Sequence, residues 1–513
     1  MQIHKLDTLL GLLILLIAAE WLNQIVGSWD WDVDHFMYFG QRLLAGQFHW
    51  TLEFDDKLPV LQFLFALPAA FDSLAVWRGM SLTFQALGAV SLGFVVNDVL
   101  ERHSDLAQSE RQRHAALAGL VFLGFNAWFP GGIHQINATA ASMSAMALAA
   151  AVLSLRRTGR LRLLFLLFSA FAASIGIGIR PYLLFPLIAA IGWIFLREAN
   201  GVARAVGRTA TWIACVGLFG LVVNALPYLL IGQVDAFEAG MSMLSQTLNP
   251  QSKANIVLWL LRSFDSAPEP VFMLVMLALA ACVFSVVALA GRRAEVLALY
   301  YDTLVFALLV PALLLLSIFS RHFWPHYLQM FSPFLTIGVA MFFVFARPAV
   351  TTVTSRVLLA LLVALGLVLA LPNAALDLLR YARSDGDSAR AQLARAAAMV
   401  LEQEPEDRRD FLFVDDMYVH WILNEPRHGF PHAANSLHII TRGWWRDVEM
   451  PGHFDHPTDA GAYCRALIEH GPSVVFIRQR TSGFADACLQ PNPRYVRITG
   501  PGSEQFAVFR RLH

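Results

Sequence analysis

Long, blunt apolar runs recur from near the start of the chain to about residue 372, and they leave few folds open. A helix needs about 20 apolar residues to cross a bilayer, or roughly 17–25 with tilt. Eleven such runs are read over 8–26, 74–98, 115–130, 135–155, 162–179, 182–197, 210–231, 270–291, 299–319, 327–346 and 355–372. The first is preceded by a single lysine and lacks a small-residue cleavage site, so it reads as a retained helix and not a cleaved leader. Composition agrees: the 513 residues are 57% hydrophobic and 15% charged. A soluble chain is about 45–50% apolar and about 25% charged. Disorder, collagen, coiled coil and disulfide scaffold are excluded on the same grounds. The net charge of zero gives no reason to expect a nucleic-acid partner.

Basic residues in the short connections set the expected orientation. With the N-terminus in the cytoplasm, the cytoplasmic side holds fifteen Lys and Arg before residue 373, among them Arg102, Arg111, Arg156, Arg157, Arg197 and Arg292. The other side holds seven: Arg42, Lys57, Arg78, Arg180, Lys253, Arg262 and Arg321. An odd number of spans then puts the tail outside. The expected fold is a multi-span α-helical membrane protein with about 11 transmembrane helices and a C-terminal extracytoplasmic α/β domain. Its parts are a transmembrane module over 1–372, with an outer loop at 27–73, and the tail domain at 373–513.

The tail differs in composition, carrying 16 of the 38 basic residues and no span-length apolar run. A helical period over 387–403 precedes short strands at 411–415 and 473–478. The segments YVRIT and FAVFRR flank a PGS turn and predict a hairpin. Cys464 and Cys488 both lie here. A disulfide and two separate thiols are both compatible with the sequence, which supplies no distance. The apolar stretch 60–70 in the first loop is too short to span and predicts a helix along the membrane face.

The first outer loop is the richest segment chemically. It gathers Asp30, Asp32, Asp34, Glu53, Asp55 and Asp56, then Lys57, the only lysine between residues 6 and 252. Acids beside a bilayer are costly unless solvated or paired. They fit a solvated loop, and equally a carboxylate base with a lysine as anion ligand. The run D-x-D-x-F-x-Y-x-G-x-x-L-L-x-G followed by F-D-D-K-L-P resembles the C superfamily of membrane glycosyltransferases, which includes aminoarabinose transferases and protein mannosyltransferases. The pattern falls on Asp34, Tyr38, Gly46, Asp56, Lys57 and Pro59, with Leu58 interrupting the usual Lys-Pro-Pro. A later element, RHFWPHYLQMFSP at 321–333, is similar to a stretch in bacterial relatives of the mannosyltransferases. Its Trp, Tyr and Arg also suit a plain interfacial anchor.

The resemblance implies a reaction. A sugar passes from a polyprenyl-phosphate donor to a lipid, polysaccharide or protein acceptor at the extracytoplasmic face, with no cofactor and no metal. A bacterial inner membrane is the implied setting, with the site and the tail domain in the periplasm. Asp34 is then the general base. Lys57, Arg180 and Arg321 are the donor-phosphate ligands, since lysine offers a compact charge and arginine a bidentate fork. Asp32, Tyr38, Asp55, Asp56, His134, Asn137, His326 and Tyr327 are the candidate substrate contacts. Arg180, in IGIRPYL, also fits a snorkelling side chain. Many members of the superfamily carry a second acid between the third and fourth spans, where this chain has PGGIHQINATAAS with His134, Gln135 and Asn137.

Asp32 and Asp34 form a D-x-D string, a weak metal signal beside a donor that Lys and Arg can neutralise. HFDHP at 453–457 matches no standard metal spacing. Two rival functions fit a multi-span chain. A flippase or transporter for lipid-linked sugars predicts internal repeats and mid-bilayer charges, whereas the charges here collect at the ends of the spans. An O-antigen ligase or polymerase predicts a large loop late in the span array.

Overall fold

In the computed structural model the described residues are 31–52, 57–104, 106–127, 135–199, 201–248, 297–318, 325–346, 386–414, 417–423, 460–478, 482–498 and 506–512, with Ile14 and Ala18. The expected spans at 8–26, 270–291 and 355–372 lie wholly or almost wholly outside them.

Among the described residues the helices are α1 (Trp31–Leu44), α2 (His49–Leu52), α3 (Val60–Ala70), α4 (Leu74–His103), α5 (Gln108–Ala127), α6 (Gln135–Arg156), α7 (Gly159–Ile179), α8 (Leu184–Glu198), α9 (Val202–Gly220), α10 (Leu226–Leu230), α11 (Val234–Leu248), α12 (Leu297–Leu304), α13 (Val310–Ile318), α14 (Ser332–Ala346), α15 (Gly386–Glu402), α16 (Met417–Ile422), α17 (Ala460–His470) and α18 (Ser482–Cys488). Short 3-10 turns at Pro181–Leu183 and Pro325–Phe331 lead into α8 and α14. The strands are β1 (Phe411–Val414), β2 (Val474–Arg478), β3 (Tyr495–Ile498) and β4 (Phe506–Arg511). Six helical stretches among these residues have the length and apolar composition to cross a membrane: Leu74–Arg102, Gln135–Arg156, Gly159–Ile179, Pro181–Glu198, Val202–Leu230 and Tyr301–Ile318.

The chain divides into two compact units. One comprises Arg78–Asn224 with the described parts of 252–380; the other comprises Trp31–Trp77, Ala225–Gln251 and the described parts of 381–513.

In the first unit, α6 is the buried centre. Its sequence, QINATAASMSAMALAAAVLSLR, is dominated by small residues, and nearly every one is buried. Small side chains let helix backbones approach closely, and that contact is what drives helix association where lipid is the solvent. The hydroxyls on this helix turn back onto its own carbonyls: Thr139 to Gln135 at 2.8 Å, Ser142 to Ala138 at 2.7 Å and Ser144 to Ala140 at 3.0 Å. Ser169 on α7 donates across to the Ala147 carbonyl at 2.7 Å and accepts from the Trp212 indole on α9 at 3.0 Å. Polar groups in an apolar medium are thereby satisfied internally. At the C-terminal ends of α4, α6 and α8, buried Asp98 accepts from Arg156 Nε at 2.7 Å and pairs with Arg102. Asp302 likewise accepts from Trp193 at 2.8 Å and pairs with Arg197.

In the second unit, α1 packs on α3. A Cβ at Gly40 would stand 2.5 Å from the Phe65 carbonyl oxygen, so only glycine permits this approach. Gln62 on α3 donates to the Phe39 carbonyl at 2.9 Å and to the Gln47 carbonyl at 3.1 Å. The stretch 60–70 is thus the helix its composition predicts, and its buried face packs on α1.

The C-terminal strands form one sheet in the order β1-β2-β4-β3, with β1 parallel to β2 and the other pairs antiparallel. Alternate residues point to opposite faces. Phe411, Phe413, Val474, Phe476, Phe506 and Val508 pack against α15 and Val419. Leu412, Val414, Val475, Ile477 and Phe509 pack against Tyr463 and Leu467 of α17. Helix α15 and the strands β1 and β2 fall within a residue or so of the stretches expected from the sequence, and the hairpin pairs Tyr495 with Arg511 and Ile498 with Val508. Cys464 and Cys488 form a disulfide and are not two separate thiols.

Candidate active site

The second unit carries Asp32 and Asp34 of the first loop. Asp34, Tyr38 and Arg42 recur every four residues along α1 and therefore share one face. All three are buried, Asp34 being 4% exposed. The Arg42 guanidinium lies over the Tyr38 ring, 5.5 Å from its centroid. Asp34 sits in the first turn of α1, where the helix dipole stabilises an anion.

Asp32 lies about 200° around the helix from Asp34, because each residue advances about 100°. Two carboxylates so placed face different surroundings. Lys57 Nζ is 3.6 Å from Asp32 and 5.4 Å from the centroid of Phe36, one turn further on. A buried lysine is thereby held by a carboxylate and an aromatic face together. His35 packs edge-on against Phe36 and Phe39 at 5.4 and 4.6 Å.

The first unit carries the second cluster. Helix α7 ends at Arg180 because Pro181 follows: the residue before a proline is pushed to extended backbone, and Arg180 has φ −140° and ψ 96°. That break turns the Arg180 side chain inward, where it is 2% exposed. Its Nε donates to Asn137 Oδ1 in the first turn of α6. Its guanidinium lies 5.2 Å from the centroid of Tyr327, which also meets Tyr182 at 5.9 Å. Arg180 is therefore held by protein partners, and the snorkelling alternative does not describe its geometry. Tyr327 is likewise buried beneath a cation.

Around this pair lies a buried polar set that sequence reasoning did not single out. Ser81 donates to the Gln135 carbonyl at 3.3 Å and lies 3.2 Å from the Thr139 hydroxyl, and Gln85 donates to Ser81 at 3.3 Å. Gln329 donates to the Asn126 carbonyl at 3.4 Å. The signal that finds such residues is an amide inside an otherwise apolar run, as in GFNAWF and YLQMF.

The structure thus brings Lys57 together with Asp32 in one unit, and Arg180 with Asn137 and Tyr327 in the other. Asp55, Asp56, His134 and Arg321 lie outside the described residues, as does the side chain of His326. Among the described residues no three His, Cys, Asp or Glu side chains are grouped to hold a metal ion.

No protein-family model matches the sequence, and no curated protein matches it either. A solved structure does: ArnT from Cupriavidus metallidurans, in the apo state, covers 98% of this chain and 98% of its own at a TM-score of 0.56 and 14% identity. The likeness shows a shared fold along nearly the whole of both chains.

Proposed function

We propose that this chain is a membrane glycosyltransferase of the C superfamily, moving a sugar from a polyprenyl-phosphate donor to an acceptor hydroxyl at the extracytoplasmic face. The observation that carries the reading is the ArnT-like fold over 98% of the chain. The buried acid of α1 and the buried cation at the end of α7 supply the chemistry such a fold would need.

In this reading Asp34 accepts the proton of the acceptor hydroxyl as its oxygen attacks the anomeric carbon. The bond from that carbon to the donor's phosphate oxygen breaks, and polyprenyl phosphate leaves with the electron pair. Lys57, Arg180 and Arg321 stabilise the charge gathering on the leaving phosphate, so a strong general acid is not required. A single displacement of this kind inverts the anomeric centre. Asp32 sets Lys57, and Asn137 with Tyr327 sets Arg180. Tyr38, Asp55, Asp56, His134 and His326 complete the proposed substrate contacts.

The disulfide supports an oxidising compartment for the tail domain, because such bonds persist outside the cytoplasm. It agrees with the N-inside orientation that the arginine distribution favours. The 373–513 domain then lies on the extracytoplasmic side of the membrane.

The test is Asp34→Asn in the full chain, assayed for transfer from a labelled polyprenyl-phosphate sugar. Loss of the base lowers the rate by about 10²–10⁴-fold, while donor binding persists. Full activity would remove Asp34 from the mechanism.

A further inference from the structure

Asn126 and Gln329 belong to the buried polar set of the first unit. Both side chains are 0% exposed. Among the described residues, neither Nδ2 nor Oδ1 of Asn126 has a hydrogen-bond partner, and neither has Oε1 of Gln329. Gln329 Nε2 reaches the Asn126 backbone carbonyl at 3.4 Å, which brings the last turn of α5 against the 3-10 turn before α14. Buried amides cost free energy unless something hydrogen-bonds them, most of all in a span bordered by lipid.

The unmet groups also state what would satisfy them. One donating NH2 and two accepting carbonyl oxygens lie open. A phosphate or carboxylate only accepts, and an ammonium only donates. A hydroxyl does both, so a ring carrying several hydroxyls matches this set. Gln329 follows Tyr327 by two residues on the same 3-10 turn, about 4 Å further along its axis. Tyr327 is the residue under the Arg180 guanidinium. Arg180 and these amides therefore meet the same short turn of backbone from different sides.

We infer that Asn126 and Gln329 form a subsite for the uncharged, hydroxyl-bearing sugar ring of the donor. The inference rests on the transferase reading and deepens it by naming the sugar's chemistry.

The experiment measures binding of two probes to the full chain in nanodiscs: polyprenyl phosphate bearing a neutral hexose or pentose, and bare polyprenyl phosphate. Asn126→Leu and Gln329→Leu each weaken the sugar-bearing lipid by about tenfold and leave the bare lipid within about twofold. Without ligand, Asn126→Leu melts at or above the wild-type temperature, because a side-chain amide with no hydrogen bond has been replaced by an apolar side chain of similar size, whereas Gln329→Leu melts somewhat lower, since it also removes the bond to the Asn126 carbonyl. Equal losses for the two lipids, no loss for either, or an Asn126→Leu variant that melts lower or fails to fold would each overturn the subsite. A wild-type chain that binds neither lipid overturns the transferase reading itself.

Discussion

The Tyr38 ring meets the His420 imidazole edge-on at 6.3 Å, so the helix that carries Asp34 is seated on the C-terminal domain. His420 is fully buried, stacks on Phe411 at 4.6 Å, and accepts the Phe413 backbone N–H through Nε2 at 3.0 Å. One turn beyond Tyr38, Gln41 donates to the Trp421 carbonyl at 3.2 Å. Strand β1, α16 and α1 are thereby linked in series. His420→Leu leaves the Phe413 N–H without its acceptor, at a cost of about 1–3 kcal/mol. It also loosens the seat of Tyr38 and, four residues away, of Asp34. The expected result is a lower melting temperature and a lower transfer rate with donor affinity retained, read by thermal unfolding alongside transfer and binding assays.

The approach of α1 to α3 gives a sharper steric prediction. At Gly40 a Cβ would meet the Phe65 carbonyl oxygen at 2.5 Å and the Ala69 Cβ at 2.9 Å, and a backbone carbonyl cannot swing aside as a side chain can. Gly40→Ala is expected to destabilise the chain by about 1–3 kcal/mol and to lower activity by displacing α1. Gly79, within α4, has nothing within 4 Å of its would-be Cβ. Gly79→Ala should be neutral or stabilising by about 0.5–1 kcal/mol. Parallel thermal melts in detergent separate the two cases, and equal behaviour would reject the packing argument.

Helix α15 and strands β1 to β4 were legible because their periodicity is local. Arg180 stood out as a charge where apolar neighbours make charge expensive, and Asp34 through the resemblance to the C superfamily. The Gln41–Trp421 bond joins residues 380 apart, and the Gln329–Asn126 contact joins residues 203 apart. No local pattern encodes such pairings. The same holds for the grouping of Trp31–Trp77 with Ala225–Gln251 and the tail, where Trp50 N–H donates to the Tyr228 hydroxyl at 3.0 Å. The PGGIHQINATAAS segment drew attention to a missing acid, while its Asn137 proved to be the residue that holds Arg180.

The disulfide gives a chemical prediction. Cys464 and Cys488 are 24 residues apart and tie α17 to α18. On the chain-entropy model a loop of this size is worth about 3–4 kcal/mol. Denatured without reductant, the chain should take up alkylating reagent at Cys215 and Cys282 only, as peptide mass spectrometry would show. Prior reduction should add Cys464 and Cys488 and lower the melting temperature. Labelling of all four without reductant would exclude the bond.

Tyr495 makes the stability of the tail domain sensitive to alkali. Burial raises its phenol to about 12, with Asp410 pushing the same way and Arg511 opposing. The hydroxyl donates toward the Pro472 carbonyl at 3.1 Å and the Leu467 carbonyl at 3.2 Å, contacts that only the protonated form makes. Unfolded, the same phenol titrates near 10. The folded chain therefore holds this proton more tightly, and the stabilisation is complete below pH 10. It falls by up to about 1.4 kcal/mol per pH unit as pH rises from 10 toward 12, and is gone above that. Other groups titrate in the same window, so the comparison is with Tyr495→Phe. The wild type should be the more stable at pH 8 by about 1 kcal/mol. The two melting temperatures should draw together as pH rises from 10 to 12. A gap that stays constant over that range would mean that the buried hydroxyl does not govern the alkaline loss.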